Sequence, residues 1–111
     1  MYLPECREHP GKMLPDLARR IVRCYSRRGD LVVDAMCGNG TTIVEAARLH
    51  RRAVGVDVED RWVDLAARNL DHMLDDATRP LARVRVGDAR QLPDVLADTT
   101  GRVDLVATSP P

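Results

Sequence analysis

A chain of 111 residues has room for one small domain, marginally stable unless something completes it. Its 17 basic and 17 acidic residues cancel, so net charge does not announce a polyanionic partner. Three cysteines, Cys6, Cys24 and Cys37, include no CxxC pair, which argues against a disulfide framework and a tetrahedral zinc site.

No apolar run approaches the ~20 residues of a membrane span, and the first ten residues lack the layout of a signal peptide. The expectation is therefore a cytoplasmic protein without a membrane or metal partner. The basic set is sixteen Arg to one Lys. Arg forks suit phosphate and base edges, and a coding bias gives the same skew. With one Trp, two Tyr and no Phe, the core must be aliphatic.

In chain order, residues 1–12 read as irregular, with Pro4, Pro10 and Gly11. A helix is predicted over 13–27, where Leu14, Leu17, Ala18, Ile21, Val22 and Tyr25 form an apolar stripe and Pro15 falls in the first turn. Leu31-Val32-Val33-Asp34-Ala35 reads as a strand buried on both faces and ending in an acid. A helix from Thr41 turns Ile43, Ala46 and Ala47 inward, with His50 near its end. Arg51 and Arg52 lead into a second buried strand, 53–57, and are expected to be solvated.

A helix over 60–74 carries Val63, Ala66, Leu70 and Met73 on one face, with Asp60 as its predicted N-cap. Residues 75–82 read as loop. Residues 83–86 alternate, as a strand nearer an edge does, and Gly87-Asp88 closes it. A short helix over 93–98 and a fourth strand over 103–107 complete the pattern. Alternating strands and helices at this spacing imply a parallel sheet, with the order 3-2-1-4 expected. The distinctive residues then fall just after strand carboxyl ends, where open α/β sheets bind ligands.

The loop Asp34-Ala35-Met36-Cys37-Gly38-Asn39-Gly40-Thr41-Thr42 supplies glycines for a tight turn and a helix N-terminus with unpaired N–H groups. A third dinucleotide-type glycine is replaced by Ile43, and no Lys follows Gly40, so the loop is not built for pyrophosphate. A plain strand-to-helix turn has the same letters.

Asp57, 19 positions after Gly38, is placed to accept both hydroxyls of a ribose, or to act as a helix cap. Asp88 suits an adenine amino group, which only donates, or a simple turn. In Ser109-Pro110-Pro111 the prolines hold the chain stiff and donate nothing, leaving carbonyls and the Ser109 hydroxyl as acceptors suited to an NH₂ group. A proline-rich terminus is the bland alternative. Cys37 has no base in sequence reach and reads as packing.

Together these residues resemble the DNA amino-methyltransferases, the N4-cytosine and N6-adenine group. That family's loop has the form Asp-x-Phe-x-Gly-x-Gly-Thr-Thr, matched here from Asp34 to Thr42 with Met36 at the Phe. His9-Pro10-Gly11-Lys12-Met13 and Gly29-Asp30 look like its lead-in, which lines the methionine end of the cofactor. Ser109-Pro110-Pro111 match its catalytic motif up to the aromatic.

The resemblance implies a Rossmann-like class I methyltransferase fold, with S-adenosylmethionine as cofactor. It implies one partial methyltransferase domain over 1–111, comprising a lead-in and helix over 1–28 and a cofactor-binding α/β half over 29–111, cut short after the fourth strand. Asp57 would hold the ribose, Val58 would pack on adenine, Asp88 would bind the adenine amino group, and Gly38, Gly40 and Thr41 would face the methionine. Asp34, Cys37 and Ala89 complete the implied cofactor set. Ser109, Pro110 and Pro111 would grip the target amine of a flipped DNA base.

An RNA or tRNA guanine-N2 methyltransferase is the alternative within this chemistry. A non-catalytic cofactor-binding module is the alternative outside it. A second polypeptide supplying the C-terminal half is the expected protein partner.

Overall fold

The computed structural model describes residues 15–99 and 101–108. Its centre is a four-stranded parallel sheet in the order β3-β2-β1-β4, as the sequence predicts. The strands are β1 (Leu31–Asp34), β2 (Arg52–Asp57), β3 (Ala82–Val86) and β4 (Leu105–Val106). The helices are α1 (Pro15–Tyr25), α2 (Thr41–Arg48), α3 (Asp60–Met73) and the four-residue α4 (Leu92–Val95). Among the described residues, no helix is long and apolar enough to cross a membrane.

The central pair is in register from Leu31↔Arg52 to Asp34↔Gly55, so β2 runs two residues past β1 and ends at Asp57, within electrostatic reach of Asp34. Every residue of β1 is buried, as is every residue of β2 after Arg52. That is why both read as unbroken apolar runs rather than alternating ones. Strand β3, at one edge, is covered less completely: Ala82 is buried, Val84 and Arg85 are half-buried, and Arg83 and Val86 are exposed. Strand β4, at the other edge, is shorter than the predicted 103–107 and leaves Val106 58% exposed.

The two faces of the sheet are built differently. On one, Val22, Ile43, Val44, Ala66 and Leu70 of α1 to α3 close over Val32, Ala53 and Ala82. On the other, Leu31, Val33, Val54 and Val56 form a smaller cluster with Leu96, Leu92 and Val95.

Three predicted details are corrected. Helix α1 packs on α2 and buries Ala18 and Val22, leaving Leu17 49% and Tyr25 72% exposed, so its apolar stripe is not all core. Glu45, fully buried on α2, explains the polar side of this contact: it takes Nε and Nη2 of Arg19 at 3.1 and 3.0 Å and pairs with Arg48 at 3.6 Å. The N-cap of α3 is Glu59, not Asp60, which is the first helical residue.

Arg51 is buried rather than solvated. It donates to Ser26 Oγ, Ser26 O and Leu49 O at 2.8–2.9 Å, fastening the end of α1 to the end of α2. At that end His50 adopts a left-handed conformation (φ 63°), with His50 N bonded to Ala47 O and Arg51 N to Ala46 O. This is a Schellman closure with His where glycine is usual.

Candidate cofactor cradle at the carboxyl edge of the sheet

The three strands β1, β2 and β3 each lead into an aspartate that closes the chain with one device. Asp34 accepts Met36 N at 3.0 Å, Asp57 accepts Glu59 N at 3.0 Å, and Asp88 accepts Arg90 N at 2.8 Å. A side-chain carboxylate bonded to the backbone two residues on makes a turn that tolerates a tight exit from the strand. What distinguishes the three is what else each carboxylate meets.

Asp34 is buried, and burial pushes its carboxyl above the ordinary carboxylate range. The Thr108 and Thr42 hydroxyls and the Met36 N–H pull it back down. Among the described residues, Thr108 Oγ1 is the buried side-chain polar atom without a hydrogen-bond partner. Its pull on Asp34 is therefore that of a nearby dipole, not of a fully formed bond.

Asp57 is also buried, and its second oxygen accepts Gly38 N at 3.0 Å. That bond ties the glycine loop of β1 to the end of β2. Each oxygen of Asp57 then has one backbone N–H, leaving lone pairs for a pair of hydroxyls. Val58, beside it, is 66% exposed. Asp88 is partly exposed and held by Arg90 through Nε at 3.1 Å and Nη2 at 2.6 Å. The guanidinium brings its carboxyl down to about 2. Ala89 begins the 3-10 turn that Asp88 caps.

The loop between these acids is held from behind. Gly38 and Gly40 have φ of 51° and 87°, where a side chain would be strained. Gly40 N bonds to Cys37 O at 2.8 Å and Cys37 N to Val56 O at 2.9 Å. Asn39 Oδ1 accepts Thr41 N at 3.3 Å and the Thr41 hydroxyl at 2.8 Å, and Asn39 O accepts Asn69 Nδ2 of α3 at 2.8 Å.

A Cβ on Gly40 would lie 3.1 Å from that of Ala66, and one on Gly55 would lie 2.8 Å from Cys37 Cβ and 2.9 Å from Ile43 Cγ1. The Cys37 side chain thus fills the space above β2. Burial and the neighbouring Asp34 and Asp57 charges push its thiol well above the usual range, so it packs and is no nucleophile. Asn69, Ala66 and Gly55 carry this scaffold. Only a glycine inside a buried strand signals it in the sequence; Asn69 looks like any polar helix residue.

Of the residues singled out from sequence, Asp34, Cys37, Gly38, Gly40, Thr41, Asp57 and Val58 therefore share one edge. Gly87 N bonds to Asp57 O at 2.9 Å and brings Asp88 and Ala89 alongside. Gly29 and Asp30 do not join them. They form the turn before β1, with Gly29 N on His50 O and Asp30 Oδ2 on Arg27 N, at the opposite end of the strand. His9 to Met13, Ser109, Pro110 and Pro111 lie outside the described residues.

The fold and the sequence are similar to those of known methyltransferases. Among solved structures, an RNA methyltransferase from Salinibacter ruber in complex with S-adenosyl-L-homocysteine matches with a TM-score of 0.70 at 19% identity, over 86% of this chain and 58% of that one. A candidate DNA modification methylase from Thermus thermophilus, complexed with S-adenosyl-L-methionine, matches with a TM-score of 0.58 at 36% identity, over 68% and 30%.

A tRNA (guanine(10)-N2)-dimethyltransferase of Methanocaldococcus jannaschii is 33% identical across 93% of this chain and 29% of its own length. The Type II methyltransferase M2.DpnII of Streptococcus pneumoniae is 36% identical across 58% and 24%. The chain thus spans under a third of the length of these curated relatives. The sequence profile of the DNA methylases matches residues 3–68, more than half of the chain. The chain belongs to the DNA methylase family.

Proposed function

We propose that this chain is the cofactor-binding half of an S-adenosylmethionine-dependent methyltransferase acting on an exocyclic amine of a DNA base. The observation that carries the proposal is the bond from Gly38 N to Asp57, which sets a rigid glycine loop against a buried strand-end acid beside the exposed Val58. These residues fit the cofactor. The free lone pairs of Asp57 suit the ribose hydroxyls, Val58 offers an apolar face for adenine, and Asp88 an acceptor for its amino group. The glycine loop and the N-terminus of α2, whose first turn holds no acid, suit the methionine end.

When bound, the cofactor supplies an electrophilic methyl group on a sulfonium. The protein's part is to hold a base amine against it. Thr108, two residues past β4, lies next to Asp34, and Ser109, Pro110 and Pro111 follow it in the sequence. By the motif they share with the family, Ser109 and the Pro110 carbonyl would accept hydrogen bonds from the amine and leave its lone pair free, with Pro111 completing the motif. A base reaches this edge only when flipped from its stack.

A second reading, methylation of guanine N2 in tRNA, is favoured by the tRNA methyltransferase relatives, which align with 93% of the chain.

Calorimetry with S-adenosylmethionine and its demethylated product tests the cofactor. Asp57→Ala weakens binding by about 1–3 kcal/mol, the cost of unpaired hydroxyls. Tight NAD binding without S-adenosylmethionine binding would overturn the proposal. Tritiated methyl transfer to DNA and to tRNA, with a polypeptide carrying the C-terminal half present, separates the two substrates.

A further inference from the structure

Away from the cofactor cradle, on the α4 face, the sheet carries a hollow of about 260 Å³ lined by four arginines and a single acid. Strand alternation builds it. Arg83 and Arg85 project on the same face of β3 as Val54 and Val56 of β2, because the register pairs Val54 with Arg83 and Val56 with Arg85. Arg52, at the start of β2, shares that face, and Arg102 closes the rim from the approach to β4. Leu31 and Val54 form an apolar floor.

The charges around this hollow do not balance. Arg85 is neutralised by Asp98 through paired bonds of 2.8 Å, which bring the Asp98 carboxyl down to about 2 and anchor the 3-10 turn Ala97–Thr99 to β3. Arg83 adds a weaker pull on the same carboxylate. Arg52, Arg83 and Arg102 have no side-chain ion pair among the described residues. Like charges set around one hollow repel, and here they do so in a chain whose formal charge is zero. An anion resolves the repulsion. Guanidinium forks on a rigid wall match phosphate oxygens in particular.

We infer that the Arg52–Arg83–Arg102 hollow is a phosphate-binding groove that grips the backbone of the nucleic-acid substrate at a distance from the methylated base. The inference rests on the reading that the substrate is a nucleic acid. The groove lies toward the amino ends of the strands, and β2 separates Arg52 from Asp57 by about 16 Å. That is about five base-pair rises of a duplex, so one polynucleotide can span both places. Contacts of this kind set register and carry no sequence information.

Fluorescence anisotropy with labelled single-stranded 20-mers of DNA and of RNA, titrated over salt, reads the groove directly on this chain. The comparison is between the native sequence, the double variant Arg83→Gln/Arg102→Gln, and a control, Arg23→Gln/Arg68→Gln. The control removes the same charge from exposed positions of α1 and α3 on the opposite face. The groove variant is expected to bind more weakly and to lose about 1.4 from the slope of log Kd against log salt, roughly 0.7 for each phosphate released. The control should keep most of its slope, and S-adenosylmethionine binding should be unchanged in both.

An unchanged slope in the groove variant, an equal loss in the control, or no oligonucleotide binding by the native chain would overturn the inference. Groove-dependent binding of an oligonucleotide that is never methylated would leave the groove standing and count against the proposed reaction instead.

Discussion

The two faces of this small sheet solve burial in opposite ways. The face under α1, α2 and α3 is closed by helices of 8 to 14 residues, with Ile43, Val44, Ala46 and Leu70 sealed from solvent. The other has a four-residue helix and two 3-10 turns. Its small cluster around Leu96 gives way within the same strands to arginines. Aliphatic burial stabilises in proportion to area removed from water, so stability is concentrated on the first face. The second is left free to carry charge.

The largest effects that test this contrast come from truncating one core residue on each face. Leu70→Ala is expected to cost about 4 kcal/mol, because its neighbours on α2 and β2 belong to a continuous core that relaxes little around a cavity. Leu96→Ala should cost about 2 kcal/mol, since its thin cluster borders solvent and collapses more readily. Chemical denaturation of both variants gives the comparison; equal losses would show that the two faces share the load.

A smaller effect sharpens the description of the thick face. His50 holds a left-handed conformation that costs a side chain about 1–2 kcal/mol. His50→Gly relieves this and loses some of the gain to the freer unfolded chain. A net stabilisation of up to about 1 kcal/mol is expected in the same denaturation experiment. A destabilised variant would mean that the imidazole makes contacts worth more than the strain.

The smallest effect is one of pH, and it comes from three carboxylates in different surroundings. Asp88 and Asp98, held near 2 by arginines, contribute stability present above the ordinary carboxylate value and lost as pH falls from there through about 2. Asp34 works in the opposite direction. Burial raises its carboxyl, so the fold favours the protonated form and loses stability as pH rises through the raised value. Asp34→Asn keeps an acceptor for Met36 N and removes that loss. Melting temperatures from pH 4 to 8 should therefore fall less steeply in the variant than in the native chain. Parallel curves would show that Asp34 stays as easily ionised in the fold as outside it.

Much of this was readable from the order of residues. The unbroken runs at 31–35 and 53–57 marked the central strands because both of their faces are covered, and the alternation at 83–86 marked an edge. Strand order and the convergence of Asp34, Gly38, Gly40 and Asp57 followed from those spans. What could not be read depends on partners distant in the chain. Arg51 looked solvated because nothing nearby announces that the end of α1 supplies Ser26 to receive it. Leu17 and Tyr25 fit a helical stripe by spacing alone, yet α1 rests on another helix instead of lying across the sheet. Gly29 and Asp30 resemble a cofactor lead-in by letter, but they come before β1 and the cradle comes after it.

The bond from Asn69 to Asn39 has a consequence for how fast the cradle can breathe. Asn39 O is buried and bonded to a helix that is itself part of the main core. The loop cannot swing outward without breaking that bond in a place water does not reach. Its amide hydrogens should therefore exchange with solvent on the timescale of α3 opening, not on that of a surface loop. A ligand arriving there meets a surface already in its final shape, and little of its binding free energy is lost to ordering the protein.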